Sequence, residues 1–248
     1  MRVVVLAAGR GTRMGALTRD IPKAMIAVAG RPVLEHIITR LARVGLSDFI
    51  LVTRYLAEKI ERHFGGGERF GVSIRYASQG DYYGTGAALL SAEDYAAHGP
   101  LMMTYGDIIT PVVNYSRAME TFSQSQCAAV MTLNWMDDPW AGGAVHVDEN
   151  GRVSRIVEKP PKGQIVSHWN SAGIMVFDPV IFGYLERLRP SPRGEYELPD
   201  ALNAMIDDGL AIHPYYLRGG WCDVGRPEDI AAAEEILRQE ERHASPDL

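Results

Sequence analysis

Apolar residues arrive in two rhythms along this chain. In the first half, short unbroken apolar runs alternate with stretches where apolar positions recur every three or four residues. Residues 3–6, 49–52 and 101–105 are continuous runs, the length and character of strands buried on both faces. Between the first two, Val33, Leu34, Ile37, Ile38, Leu41 and Val44 share one helical face, opened by Gly30-Arg31-Pro32 and closed by Gly45. Leu56, Ile60 and Phe64 mark a second helix ended by Gly65-Gly66-Gly67, and 72–76 alternates like a third strand. A helix over 87–97 precedes the 101–105 strand. This strand–helix alternation predicts right-handed crossovers and a parallel, doubly wound core.

After a helix near 115–123 and a buried strand at 128–133, the rhythm changes. Residues 144–147, 153–157 and 174–177 read as strands with no long helix between them, and Asp148-Glu149-Asn150-Gly151 reads as a hairpin turn. Helices follow near 179–188 and 198–208, then a strand at 211–217. A last helix opens at Pro227, with Ile230, Ala233 and Ile236 on one stripe as a packing or homo-oligomer face. Its polar tail, 239–248, is expected to fray. The expected architecture is α/β: a doubly wound, mostly parallel, Rossmann-like mixed sheet over 1–135, an antiparallel extension over 136–225, and a C-terminal helix and tail over 226–248. All of it is read as one domain, 1–248.

Composition narrows the partners. The chain has 248 residues, 46% of them hydrophobic and 23% charged, enough to bury a sizeable core. A net charge of -6 with no basic run argues against nucleic acid, so any phosphate must be met by local cations. Cys127 and Cys222 stand at no metal or redox spacing, which points to a reduced, cytoplasmic protein. The N-terminal apolar run is too short for a signal peptide and no run approaches a membrane span, so no membrane partner is expected.

Those local cations are easy to find. The strand at 3–6 empties into Gly9, Gly11 and Gly15, interleaved with Arg10, Arg13 and Arg19 and followed by Lys23. Glycines let backbone N–H groups close on an anion, and the cations neutralise it. The dinucleotide pattern G-x-G-x-x-G fails, because Met14 stands at its third glycine. The next strand ends in Thr53-Arg54 with no carboxylate for a ribose, which counts against an NAD-dependent oxidoreductase. No Gly-Lys pair makes a P-loop. A second glycine-rich stretch, Gln79 to Gly86, opens a helix whose first N–H groups are free for a ligand. Gly106-Asp107 puts a carboxylate just past a buried strand, in the same sheet-edge cleft.

The run Gly9-x-Gly11-Thr12-Arg13-Met14, followed by Pro22-Lys23, resembles the signature of the sugar-1-phosphate nucleotidyltransferases in their short, single-domain form. The resemblance spans essentially the whole chain. It implies the reaction NTP + sugar 1-phosphate → NDP-sugar + pyrophosphate, with Mg²⁺ as cofactor. It implies that Leu6, Ala8, Gly9, Gly11, Thr12, Arg13 and Lys23 hold the nucleotide with Asp107, and that the loop with Gln79, Gly84 and Thr85 reads the base. A Gln amide suits uracil or thymine, whose edge presents one N–H between two carbonyls, so UTP or dTTP is implied. Thr85 departs from the thymidylyltransferase version of the loop and tilts the choice to UTP.

On the sugar side, Glu158-Lys159-Pro160 matches the family's E-K-P, implying Glu158 on sugar hydroxyls and Lys159 on the sugar phosphate. Gly143 falls where the family brings backbone close to the hexose. Asn170-Ser171-Ala172-Gly173-Ile174 resembles N-x-G-I with one residue more, implying Asn170 and Gly173 as sugar-binding positions. Trp221 to Asp229 closely resembles the last family motif, whose first Asp, here Asp223, joins Asp107 on the metal. Arg13, Lys23 and Lys159 are then the catalytic cations. Two rival readings share parts of this pattern. A catalytically silent sugar-nucleotide-binding subunit would lose charge residues that are all present here. A cytidylyltransferase acting on another phosphate monoester would lack the sugar-side motifs.

Overall fold

The computed structural model describes residues 1–138, 140, 142–163 and 167–244. Four parallel strands carry the site: β1 (Arg2–Leu6), β2 (Asp48–Thr53), β3 (Ser73–Ser78) and β4 (Leu101–Tyr105), side by side in the order β3-β2-β1-β4. Helices α1 (Val33–Arg43), α2 (Ala57–Phe64), α3 (Thr85–Leu90) and α4 (Glu93–Ala96) fill the crossovers. The last two replace the single helix expected over 87–97. The Ser91 hydroxyl donates back to the Ala88 carbonyl at 2.7 Å, competing with the helical ladder where the chain breaks.

The second half adds five strands to the same sheet: β5 (Ala129–Trp135), β6 (Gly143–Val147), β7 (Val153–Glu158), β8 (Trp169–Phe177) and β9 (Ile212–Tyr216). The long strand β8 is the seam. Its last four residues run antiparallel to β4, its other edge takes β5, and Asn170 pairs with the antiparallel β6–β7 hairpin. Asp148 closes that hairpin, its Oδ1 accepting the N–H groups of Asn150 and Arg152 at 2.9 Å each. The antiparallel extension is therefore continuous with the parallel core.

Strand alternation explains why both faces are covered. Val3 and Val5 pack with Leu34, Ile37 and the helices α5 (Val112–Gln124) and α8 (Asp229–Ala244) on one face. Val4 packs with Leu89, Leu185 and Leu202 on the other, beneath α3, α6 (Ile181–Leu185) and α7 (Leu198–Asp207). The α8 stripe of Ala233, Ile236 and Leu237 is buried in the first of these cores, so it is a packing face. The tail expected to fray stays helical to Ala244, and 245–248 lie outside the described residues. Among the described residues, no helix is long and apolar enough to cross a membrane.

Candidate active site

The carboxyl ends of β1, β2 and β4 open into a cavity of about 1360 Å³, walled on its far side by β7 and β8. Leu6 and Ala8 line it where β1 ends, and Gly9, Gly11, Thr12 and Arg13 follow. The loop after β1 is wound into 3-10 turns over Thr12–Thr18, anchored by the buried Met14. Gly11 has φ of 69°, and a Cβ there would stand 2.8 Å from the Lys23 Cβ, so only glycine fits. The Thr18 hydroxyl closes the loop by donating to the Gly11 carbonyl at 2.8 Å. Gly9 has open space above it, room for an anion to approach the backbone.

The cavity floor holds the two acidic side chains, Asp107 and Asp223, which lie far apart in sequence. A two-residue antiparallel ribbon joins them: Asp223 pairs with Ile108 and Cys222 with Ile109, and the Val224 N–H donates to the Asp107 carbonyl at 2.9 Å. Lys23 stands between the carboxylates. Its Nζ donates to Asp107 Oδ2 and, at 3.1 Å, to Asp223 Oδ1, while Arg13 Nη2 lies 3.8 Å from Asp223 Oδ2. Burial by itself would lower the Lys23 pKa; the charges and hydrogen bonds of Asp107 and Asp223 outweigh it and hold the ammonium above its ordinary value. Burial raises the Asp107 carboxyl, Lys23 opposes the shift, and Asp223 adds to it. Asp107 Oδ1 is buried without a hydrogen-bond partner among the described residues. An enclosed, unpartnered carboxylate oxygen beside a second carboxylate suits a hard cation that takes its remaining ligands from phosphate and water.

The opposite wall carries the sugar-side residues. Glu158 faces Gly143 across the β6–β7 ladder, and a Cβ on Gly143 would come within 3.1 Å of Glu158 Oε2. Burial raises the Glu158 pKa, Lys159 and Arg193 pull it back, and Glu197 and Glu195 push it up again. Gly173, with φ of 78°, also lines the cavity; a Cβ there would stand 2.5 Å from the Tyr105 ring. In the base loop, Gln79 is 8% exposed, and its Nε2 donates to the carbonyls of Tyr82 at 2.9 Å and Gly84 at 3.3 Å. Gly84 has φ of 119° and presses against the Tyr196 backbone, and the Thr85 hydroxyl accepts the Leu198 N–H at 3.1 Å.

Three expected positions are absent from the cavity wall: Lys23, which is bonded to Asp107 and Asp223 of that wall, Lys159 and Asn170. Lys159 is exposed, with φ of 45°, and its side chain is not part of the cavity wall. Asn170 is fully buried, its amide beneath Gly142, and the neighbouring Ser171 lines the cavity instead. The β8–β5 register shifts between Ser171 and Met175, which absorbs the extra residue in the motif. Counted back from Gly173, the N-x-G-I spacing lands on Ser171, a signal the sequence did contain. Two arginines were missed. Arg54 lines the cavity at the end of β2, where a cation at a sheet's carboxyl edge is itself a hint. Arg193 bridges Glu197 at 3.1 Å and Glu158 at 3.7 Å, an arrangement made by tertiary contact alone.

A glycine-lined cavity at the carboxyl edge of a parallel sheet, with cations on one wall and paired carboxylates below, defines a site for nucleotide phosphate chemistry. A family model described as nucleotidyl transferase matches residues 2–240. UTP--glucose-1-phosphate uridylyltransferase AglF of Haloferax volcanii is 33% identical over 250 residues, covering 99% of this chain and all of its own. Low-salt glycan biosynthesis nucleotidyltransferase Agl11 of the same organism is 32% identical over 97% of this chain and 67% of its own. A solved structure described as a putative glucose-1-phosphate thymidylyltransferase from Bacillus anthracis is 27% identical, with a TM-score of 0.85 over 96% of this chain and 95% of that one. The chain belongs to the sugar-1-phosphate nucleotidyltransferase family.

Proposed function

We propose that this chain transfers a uridylyl or thymidylyl group from UTP or dTTP to a sugar 1-phosphate, releasing pyrophosphate. The observation that carries the reading is the floor of the cavity, where Lys23 joins Asp107 to Asp223 with Arg13 beside them. Two polyanions must meet there, so the protein's task is to position them and neutralise charge; no covalent nucleophile is needed. An oxygen of the sugar phosphate attacks the α-phosphorus. The new P–O bond forms as the bond to the β-bridging oxygen breaks, and pyrophosphate leaves with that electron pair.

Arg13 takes the β- and γ-phosphates and the charge that grows as they depart. Lys23 sits at the α-phosphate, and Lys159 meets the incoming sugar phosphate. Glu158 accepts sugar hydroxyls beside Gly143, Ser171 and Gly173, which replaces the expected role of Asn170. Asp107 and Asp223 would hold Mg²⁺, which when bound supplies the positive charge that offsets two converging phosphates. The free thiols of Cys127 and Cys222 fit a cytoplasmic setting.

A pyrophosphate-release assay over a set of NTPs and a panel of sugar 1-phosphates tests the reading. Release is expected only when a sugar 1-phosphate is present, with UTP or dTTP ahead of CTP, ATP and GTP. Preference for a purine triphosphate would overturn the base assignment. Nucleotide binding with no release across the panel would favour the silent-subunit reading.

A further inference from the structure

Arg54 is the first residue beyond β2, on the cavity wall beside the base loop. Its guanidinium lies over the Tyr83 ring, 4.1 Å from the centroid. Its Nη1 is buried and has no hydrogen-bond acceptor among the described residues. A buried donor without an acceptor is costly unless something fills the cavity and accepts from it. The next residue belongs to the other side of the site: the Tyr55 hydroxyl reaches the Arg19 carbonyl at 2.7 Å and the Thr18 carbonyl at 3.2 Å, steadying the phosphate loop. Arg54 therefore belongs with the base loop.

That loop has half of its recognition chemistry already committed. Both contacts of Gln79 Nε2 go to loop carbonyls, which leaves Oε1 as an acceptor. The Gly84 N–H has no backbone acceptor among the described residues. Between them, Arg54 Nη1 and the Gly84 N–H supply two donors and Gln79 Oε1 one acceptor. The edge of uracil or thymine reads acceptor, donor, acceptor. Cytosine instead presents a bare ring nitrogen where Gln79 Oε1 needs a proton.

We propose that Arg54 is a specificity-determining residue for the base, its Nη1 donating to the 4-carbonyl of uracil or thymine, where cytosine carries an amino group, while Tyr83 fixes the guanidinium plane. This deepens the transfer reading and rests on its choice of nucleotide. The stacked, planar fork matters as well as the charge, because a lysine cannot reproduce it.

The test compares wild type with Arg54→Met, Arg54→Lys and Tyr83→Leu. Steady-state kinetics with UTP and CTP at saturating sugar 1-phosphate are paired with calorimetric UTP binding and a thermal melt. Arg54→Met is expected to raise the KM for UTP about tenfold, with the KM for sugar 1-phosphate unchanged. The UTP-to-CTP preference should fall by a similar factor, because only the matched base gains from the arginine. Arg54→Lys should recover little of it. Tyr83→Leu, which leaves Arg54 in place, should show a smaller loss of the same kind and covers the case in which the arginine variants melt early. A KM for UTP within twofold of wild type, or equal losses for UTP and CTP, would overturn the proposal. Calorimetry separates the two failures without turnover: unchanged UTP affinity in a folded Arg54→Met protein sinks this inference, whereas a wild type that binds UTP and releases no pyrophosphate sinks the transfer reading instead.

Discussion

Lys23 Nζ lies 3.1 Å from Asp223 Oδ1 while also bonded to Asp107, so a single ammonium closes the two-carboxylate floor of the cavity. The contact joins three distant parts of the chain. A 3-10 turn after Pro22 supplies the lysine, the end of β4 supplies one acid, and the 222–223 ribbon supplies the other. The attraction of both carboxylates to the Lys23 ammonium offsets their mutual repulsion on this enclosed floor.

Replacing the lysine therefore exposes the repulsion it conceals. Lys23→Met should lower stability by about 2 kcal/mol, at the low side for breaking a buried pair because the Asp223 side chain is 35% exposed. Mg²⁺ should then raise the melting temperature of Lys23→Met by more than that of wild type, since the carboxylates have lost their internal counter-charge. Thermal melts of both proteins with chelator and with Mg²⁺ check this. Equal Mg²⁺ shifts would mean that the ion binds elsewhere.

Gly143 makes room for Glu158, so a single methyl should be felt by the sugar. Gly143→Ala puts a Cβ 3.1 Å from Glu158 Oε2, and the flexible carboxylate gives way. The KM for sugar 1-phosphate should rise roughly tenfold, the weight of one hydrogen bond to a charged group, with the KM for the NTP unchanged. A parallel rise in both constants would count against a sugar-specific role for this wall.

Lys159 separates backbone strain from side-chain function. Its φ of 45° is a left-handed conformation that glycine adopts freely. Lys159→Gly should stabilise the fold by up to about 1 kcal/mol, yet lower turnover about a hundredfold by removing the cation assigned to the sugar phosphate. Near-normal turnover in this variant would strip Lys159 of that role, and the exposed side chain would then be a surface charge.

The far edge of the sheet gives an acid-stability prediction. Asp48 accepts from Arg75 at 2.6 Å and Arg2 at 3.1 Å, tying β1, β2 and β3 together. Burial by itself would raise its pKa; the hydrogen bonds and charges of Arg75 and Arg2 outweigh that and hold it below the ordinary 3.8. A depressed acid stabilises the fold above the unfolded-state pKa and loses that contribution as pH falls through the folded value. Asp48→Asn should thus cost about 1 kcal/mol at neutral pH, a surface-scale effect. The gap to wild type should narrow as pH falls below the ordinary 3.8. Urea unfolding of both proteins across pH measures it.

What the sequence disclosed, and what it withheld, follows from range. Residues 3–6 and the loop from Gly9 to Lys23 were legible because strand burial, tight turns and cation spacing are local properties. Asp107 was legible as a carboxylate just past a buried strand, but Asp223 and its pairing with Asp107 only through the resemblance, since nothing local says that a two-residue ribbon will bring them together. Asn170 misled because residue identity outweighed spacing: the strand's alternation turns Ser171 to the cavity and buries Asn170. The bridges from Arg193 to Glu158 and Glu197 carry no periodic signal, because they form only when β7 and the segment before α7 pack side by side.

The most direct measurement is pyrophosphate release by wild type and Asp223→Asn, run side by side with saturating UTP, a sugar 1-phosphate substrate and Mg²⁺. Wild type should turn over, and a folded Asp223→Asn protein should be slower by about a hundredfold or more. Equal rates from the two proteins would contradict the claim that this floor holds the reacting phosphates.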